Sequence, residues 1–325
     1  MANIDEKKTA LVNIKGRLYS KAERRSFLFC YLMIAFPVLQ FAVFWIGINV
    51  SSIVLAFQDG AGAFTFNNLK NVFDGFKGTT MGGYDLLLSL KNSFTIWAVS
   101  HLICFPISII TTYILYRRIL GHYVLRICYI IPGLMGTIMW TSLVGYMVQY
   151  NGIIVKFLVG LGVNLPEAAL ANGLFADKAT AFPALVIITL VMGLVGNNAV
   201  LTGAFSRVPE ELYESAELDG AGFWTICFKI AIPCVWSTIS MLLIFGLCGI
   251  LTADANVWLY SHGTGEPGMT TVGYVLYNMT YNISVNGGGS YGFPAALGLV
   301  LTIVTMPIVL IGRYVLNRIQ EAVEV

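Results

Sequence analysis

The densest group of reactive side chains lies between Val208 and Pro233 (VPEELYESAELDGAGFWTICFKIAIP), where Glu210, Glu211, Glu214, Glu217 and Asp219 supply five of the seventeen acids. Charge runs are usually solvated faces, and nothing nearby makes this one catalytic. The chain has no G-x-x-x-x-G-K-[ST] run and no Gly-Lys dipeptide, so it lacks the backbone cradle and lysine that bind ATP phosphates. Neither a nucleophile elbow nor H-E-x-x-H occurs. His101, His122 and His262 stand singly without partners at ligand spacing, so no metal site is expected. No catalytic residue is assigned. Cys30, Cys104, Cys128, Cys227, Cys234 and Cys248 fall in apolar runs or in the acidic stretch and imply no disulfide framework.

The local chemistry of the stretch predicts two short helices joined at a glycine. Pro209 suits a first helical turn, and Glu210 and Glu211 sit where the positive end of a helix dipole favours anions. Asp219-Gly220 stops the first helix, because glycine takes the left-handed conformation that closes one. Phe223, Ile226, Cys227 and Ile230 then form an apolar stripe that a merely solvated loop would not need.

Strongly apolar runs flank this polar element on both sides. At 57% hydrophobic and 11% charged, with mean hydropathy +0.76, the chain has too few charges to coat a globular surface, whereas a lipid-exposed bundle needs few. The expectation is an all-α, multi-pass membrane protein with six spans, at about 28–57, 93–115, 127–148, 182–204, 234–253 and 294–312. A basic segment, 1–27, precedes them, the polar loop occupies 205–233, and a tail, 315–325, follows a bundle of 28–314. The first run is longer than the core of a cleaved signal peptide and reads as an uncleaved span. The piece Ile153–Leu161 is too short to span and is expected to lie flat outside. Charge supports the topology. Fourteen of the nineteen Lys/Arg, including every arginine, fall in segments placed inside, and the five outside are lysines (Lys70, Lys77, Lys91, Lys156, Lys178). Both termini are therefore expected in the cytoplasm.

Glu214-Ser215-Ala216, Asp219-Gly220-Ala221 and Ile230-Ala231-Ile232-Pro233 resemble the EAA loop (E-A-A, three residues, G, nine residues, I-x-L-P) of permease subunits of bacterial ABC importers. Val208–Tyr213 is similar to the lead-in of the carbohydrate group, which includes maltose, glycerol-phosphate and oligosaccharide permeases, so a non-sugar solute such as glycerol-phosphate stays open. Ser215 and Ile232 replace an alanine and a leucine, and a second proline often seen after Pro233 is missing. Weaker likenesses are Phe66–Leu69 in the first external loop, Tyr129–Pro132 at the third span and Gly263–Gly268 after the fifth. The resemblance implies a type I importer permease in the bacterial cytoplasmic (inner) membrane that moves a sugar inward by alternating access. It implies a second homologous permease, an ABC ATPase dimer carrying ATP and magnesium, and an extracytoplasmic solute-binding protein as partners. No cofactor is expected in this chain, and no nucleic acid. Glu214, Ser215, Ala216, Asp219, Gly220, Ala221, Ile230 and Pro233 are then the residues that couple to the ATPase.

The polar residues within the spans bear on the solute path. Thr189, Gly193, Gly196, Asn197 and Val200 recur at helical spacing on the fourth span. Gly246, Gly249, Ala253 and Asn256 do so on the fifth, with Cys248, Thr252 and Asp254 beside them. Small residues let helices approach and amides hydrogen-bond across the contact, which is a packing reading. Intramembrane amides and acids also face cavities, and the resemblance implies a pathway lined from these two helices. For Asn197, Asn198, Thr252, Asp254 and Asn256 both readings stay open. Between Lys229 and Arg313 there is no basic residue, which favours a neutral solute. The rival class is a stand-alone ion-coupled carrier. It would need intramembrane ionisable groups and often an internal repeat; Asp254 is the only acid in or near a span, and no repeat is found.

Overall fold

The computed structural model describes residues 21–80, 83–117, 121–261, 268–287 and 289–323. Most of the basic segment 1–27, Arg118, His262, most of Gly263–Gly268 and the last two residues of the tail lie outside the described residues. No strand forms among the described residues; an isolated bridge pairs Gln58 with Phe64. The chain divides into two units, Met1–Leu55 and Ala56–Val325. The first carries helix α1 (Ser26–Ala56) up to Leu55, a continuous apolar rod with exposed side chains and a π-helical stretch at Phe41–Ile46.

The second unit opens with α2 (Asn67–Phe76) and α3 (Leu86–Tyr116), the latter started by Asp85, whose carboxylate accepts from the Leu88 N–H at 3.0 Å. Next come α4 (His122–Leu134), α5 (Thr137–Val148), α6 (Ile153–Gly160) and α7 (Glu167–Asn172). Helix α8 (Lys178–Phe205) is capped by Asp177, which accepts from the Ala179 N–H at 2.8 Å. The loop that follows holds α9 (Glu210–Leu218) and α10 (Phe223–Cys234), and α10 turns by 71° into α11 (Trp236–Cys248). The short α12 (Val257–Tyr260), then α13 (Val272–Asn286) and the long α14 (Gly292–Val323) complete it.

Among the described residues, five helical stretches are long and apolar enough to cross a bilayer, six if the bent pair α10/α11 counts as one. Counting that pair as one span, the number agrees with the six-span expectation, but one span is drawn differently. The 127–148 segment is not one helix: α4 ends at Leu134, Met135 and Gly136 are extended, and α5 begins afresh. Glycines 133 and 136, poor helix formers, flank the break. The stretch that passes as a span there is Thr137–Gly160, which takes in α6 across a turn at Asn151 (φ +58°).

Buried apolar side chains gather in two clusters. One joins α2, the start of α3, α5 to α8, α12, α13 and the start of α14, around Leu86, Leu185, Met269 and Leu297. The other joins the far halves of α3 and α8 to the polar loop, around Tyr113, Leu201, Phe205, Tyr213 and Ile226. The loop is thus built into a core of its own.

Candidate functional site

Two features of the second unit could do transport chemistry, and α3 runs through both. The first is the loop. Pro209 precedes α9, and Glu210 and Glu211 occupy its first turn. Gly220 closes the helix at φ +76°, as the Asp-Gly pair predicts. The Ala221 N–H reaches back to the Ala216 carbonyl at 2.9 Å and the Gly220 N–H to that of Glu217 at 3.0 Å, so the last turn's carbonyls are satisfied. The apolar stripe faces inward: Ile226, Cys227 and Ala231 are buried and Phe223 and Ile230 half-buried against Tyr113 and Phe205. Arg117, just past α3, donates to Glu217 and lies over the Tyr213 ring, 4.9 Å from its centroid. Burial first, then the neighbouring Tyr116 and Tyr113 hydroxyls, push the Tyr213 phenol well above its ordinary range, so the ring under the guanidinium is neutral.

The eight loop residues divide between two faces. Glu214, Ser215, Asp219 and Gly220 point to solvent, whereas Ala216 is buried and Ala221, Ile230 and Pro233 are half-buried against the bundle. On the outer face stand three large apolar side chains, Leu218 (89% exposed), Trp224 and Phe228, the last two stacked with centroids 6.1 Å apart. Large apolar groups left exposed beside a row of acids mark an interaction surface.

The second feature is a cavity of about 660 Å³ between α3, the α4–α5 break, α8 and the end of α11, within the size range of small-molecule sites. Its wall contains Thr189, Gly193, Gly196 and Asn197 from α8 and Gly246, Gly249, Ala253 and Asn256 from the fifth span, the two stripes read from the sequence apart from Val200. Asp254 lines it as well, and the Asn197 and Asn256 amides make no hydrogen bond among the described residues. Asn198 does not line it. That side chain is buried and accepts from Thr112 at 2.9 Å and Thr202 at 3.2 Å, so it joins α8 to α3. Thr252 lies in a different pocket of about 440 Å³, with Cys248, Thr302 and Thr305. Asp254 has a positioning task too: its Oδ1 accepts from Thr271 at 2.9 Å and from the Val257 N–H at 3.3 Å, holding the start of α12.

After Cys248 the chain is irregular as far as Asn256, which sits at φ +59°. Irregular backbone among apolar helices needs partners for its polar groups or a cavity to line. One face of α3 supplies a partner within this stretch, at Ala253, and others on either side of it. Trp97 donates to the Gly246 carbonyl at 2.8 Å, Ser93 to that of Ala253 at 2.9 Å, and Asn92 to those of Gly268 and Thr270 at 3.0 and 2.9 Å. The sequence reading missed this clamp, although Ser89, Asn92, Ser93 and Trp97 recur at helical spacing in an apolar segment. It also missed Trp97, Ser100, Trp140 and Tyr260 as cavity residues; His101, which also lines the cavity, lies inside an expected span, where it could be functional or a packing residue. A histidine inside a span was the one available signal.

No family model matches the chain. The chain is 31% identical over 183 residues to the diacetylchitobiose uptake system permease protein of Streptomyces coelicolor, covering 55% of this chain and 48% of that one. It is 32% identical over 111 residues to the alpha-glucoside transport system permease protein of Rhizobium meliloti, covering 34% and 31%. Over 142 residues it is 31% identical to the maltose/maltodextrin transport system permease protein of Escherichia coli, covering 42% and 27%. The chain thus spans about half or less of the length of these curated relatives. Among solved structures it is similar to a bacterial ABC transporter that imports the acidic polysaccharide alginate, with TM-score 0.70, 19% identity, and 92% and 98% of the two chains covered. The same transporter in complex with an alginate pentasaccharide-bound periplasmic protein gives TM-score 0.71 at 19% identity. The sequence similarity lies with permeases of sugar ABC importers, and the all-α fold is that of an importer permease.

Proposed function

We propose that this chain is the transmembrane permease subunit of an ATP-driven importer that moves a neutral sugar or oligosaccharide inward across the bacterial cytoplasmic membrane. The observation that carries this reading is the shared rod: α3 lines the cavity at Trp97 and His101, and the residue ending it, Arg117, holds the loop at Glu217. A displacement of the loop is then passed to the cavity wall through one helix. The unpartnered Asn197 and Asn256 amides support a solute path rather than a packed interface, where such groups would be paired.

In this mechanism a separate ABC ATPase dimer binds ATP with magnesium and closes. The outer face of the loop, with Glu214, Ser215, Asp219, Leu218 and Trp224, rides on that ATPase. Ala216, Ala221, Ile230 and Pro233 keep the loop rigid against the bundle, so the motion rocks the helices and exposes the cavity alternately to the two sides. A second, homologous permease completes the path, and an extracytoplasmic solute-binding protein delivers the sugar. Among the described residues the cavity wall holds Asp254 and no Lys or Arg, so these give no counter-charge to an anionic sugar. For an ion-coupled carrier Asp254 would be the coupling acid; its bonds to Thr271 and the Val257 N–H favour a positioning task instead.

Uptake of radiolabelled maltose and diacetylchitobiose in a strain deleted for this chain, with and without a restoring copy, tests the reading. Loss on deletion and recovery on restoration support it. Uptake of neither sugar by the intact strain refutes these two as solutes, and ATP hydrolysis by the purified chain alone refutes the separate ATPase.

A further inference from the structure

Within α3 the segment Val99–Cys104 is π-helical, a rare local geometry that recurs at functional sites, and His101 lies inside it. The imidazole stacks on Trp97, with centroids 5.6 Å apart and planes 17° from parallel. Its Nδ1 lies 3.2 Å from the Trp97 carbonyl. A carbonyl can only accept, so Nδ1 carries the proton in the neutral ring and Nε2 is left as an acceptor. That nitrogen makes no hydrogen bond among the described residues. The edge that bears it rests over Gly246, in the space a Cβ there would occupy, and both residues line the central cavity. The tautomer and the missing side chain at position 246 together leave one acceptor, seated beside Gly246, in the cavity wall.

We propose that His101 is a solute-contacting, specificity-determining residue whose Nε2 accepts a hydrogen bond from a solute hydroxyl. The assignment rests on the cavity being the solute path. With the Asp254 carboxylate also in the wall and no Lys or Arg among the described residues that line it, His101 selects solutes rich in O–H or N–H donors and disfavours uronates. Gly246 serves by giving the ring room.

The test uses the whole transporter in its host membrane, with diethylpyrocarbonate as the imidazole reagent and radiolabelled maltose and diacetylchitobiose as the solutes. Peptide mass spectrometry is expected to find His101 carbethoxylated, and more slowly in the presence of a transported sugar. His101→Phe keeps the stack on Trp97 but removes the acceptor. It is expected to raise the transport KM about five- to tenfold, the loss of one hydrogen bond, with Vmax and membrane level near wild type. His101→Gln, whose amide oxygen can accept at similar reach, should recover part of that loss. Unmodified His101 in every nucleotide state, or a wild-type KM for His101→Phe, overturns the proposal. Carbethoxylation in a strain that takes up neither sugar supports the open acceptor and overturns only the choice of these sugars as solutes.

Discussion

The guanidinium of Arg117 joins the end of α3 to Glu217 on the loop helix while covering the ring of Tyr213. Arg117 is well covered, with its side chain 21% exposed, whereas Glu217 is 53% exposed. Water therefore screens the pair, and its contribution to stability is about 0.5–1 kcal/mol. Its larger effect is geometric, since it fixes where α9 sits relative to the rod that lines the cavity.

Arg117→Glu and Glu217→Arg should each lower uptake several-fold with little change in membrane level, and the double exchange should restore part of it. Uptake and quantitative blotting of the three variants decide the matter. Two single exchanges at wild-type rates would show that the pair does not hold the loop in register.

Gly220 has a left-handed backbone, and the chain itself leaves open space around a Cβ built on it. Gly220→Asn should therefore be well accumulated, because asparagine visits this region readily, while Gly220→Val should cost about 1–2 kcal/mol. Thermal stability in detergent checks both. If Gly220→Asn accumulates normally yet transports poorly, the loss reports on what docks outside the turn.

Gly246 and Gly193 are tight for a different reason. A Cβ at the first would overlap the His101 ring, and one at the second would meet the Cys104 side chain at 2.9 Å. Gly246→Ala is expected to destabilise by about 1–3 kcal/mol through overpacking, and His101→Ala in the same chain to recover much of it. Additive losses in melting temperature would contradict this contact.

Asn197 and Asn198 are neighbours with opposite surroundings, one open to the cavity and one bonded to Thr112 and Thr202. Asn198→Leu should cost about 1–3 kcal/mol of stability by stranding buried partners, whereas Asn197→Leu should spare stability and reduce transport. Melting curves and uptake measured on the same preparations separate the two.

Much of this was legible in the sequence because it is local. The Asp-Gly stop, the inward stripe at Ile226 and Cys227 and the bias of arginines follow from residue type and helical period alone. The two stripes that run through Asn197 and Asn256 were legible for the same reason, and all of their residues but Val200 reach one cavity. Hidden were the facts that depend on distant partners. Nothing in the spacing says that Asn198 would find Thr112 or that Thr252 would turn to another pocket. Nor does it reveal that Asn92, Ser93 and Trp97 would bond backbone carbonyls within and on either side of a broken stretch more than 140 residues away in sequence.

The most direct measurement is labelling by a water-soluble thiol reagent in a chain lacking its six native cysteines, assembled with its partners in the membrane. Asn197→Cys and Asn256→Cys should react, at a rate that changes when ATP is trapped and falls when a transported sugar is added, while Asn198→Cys stays unlabelled. If Asn197→Cys and Asn256→Cys resist the reagent in every nucleotide state, the cavity is not a solute path and the account fails.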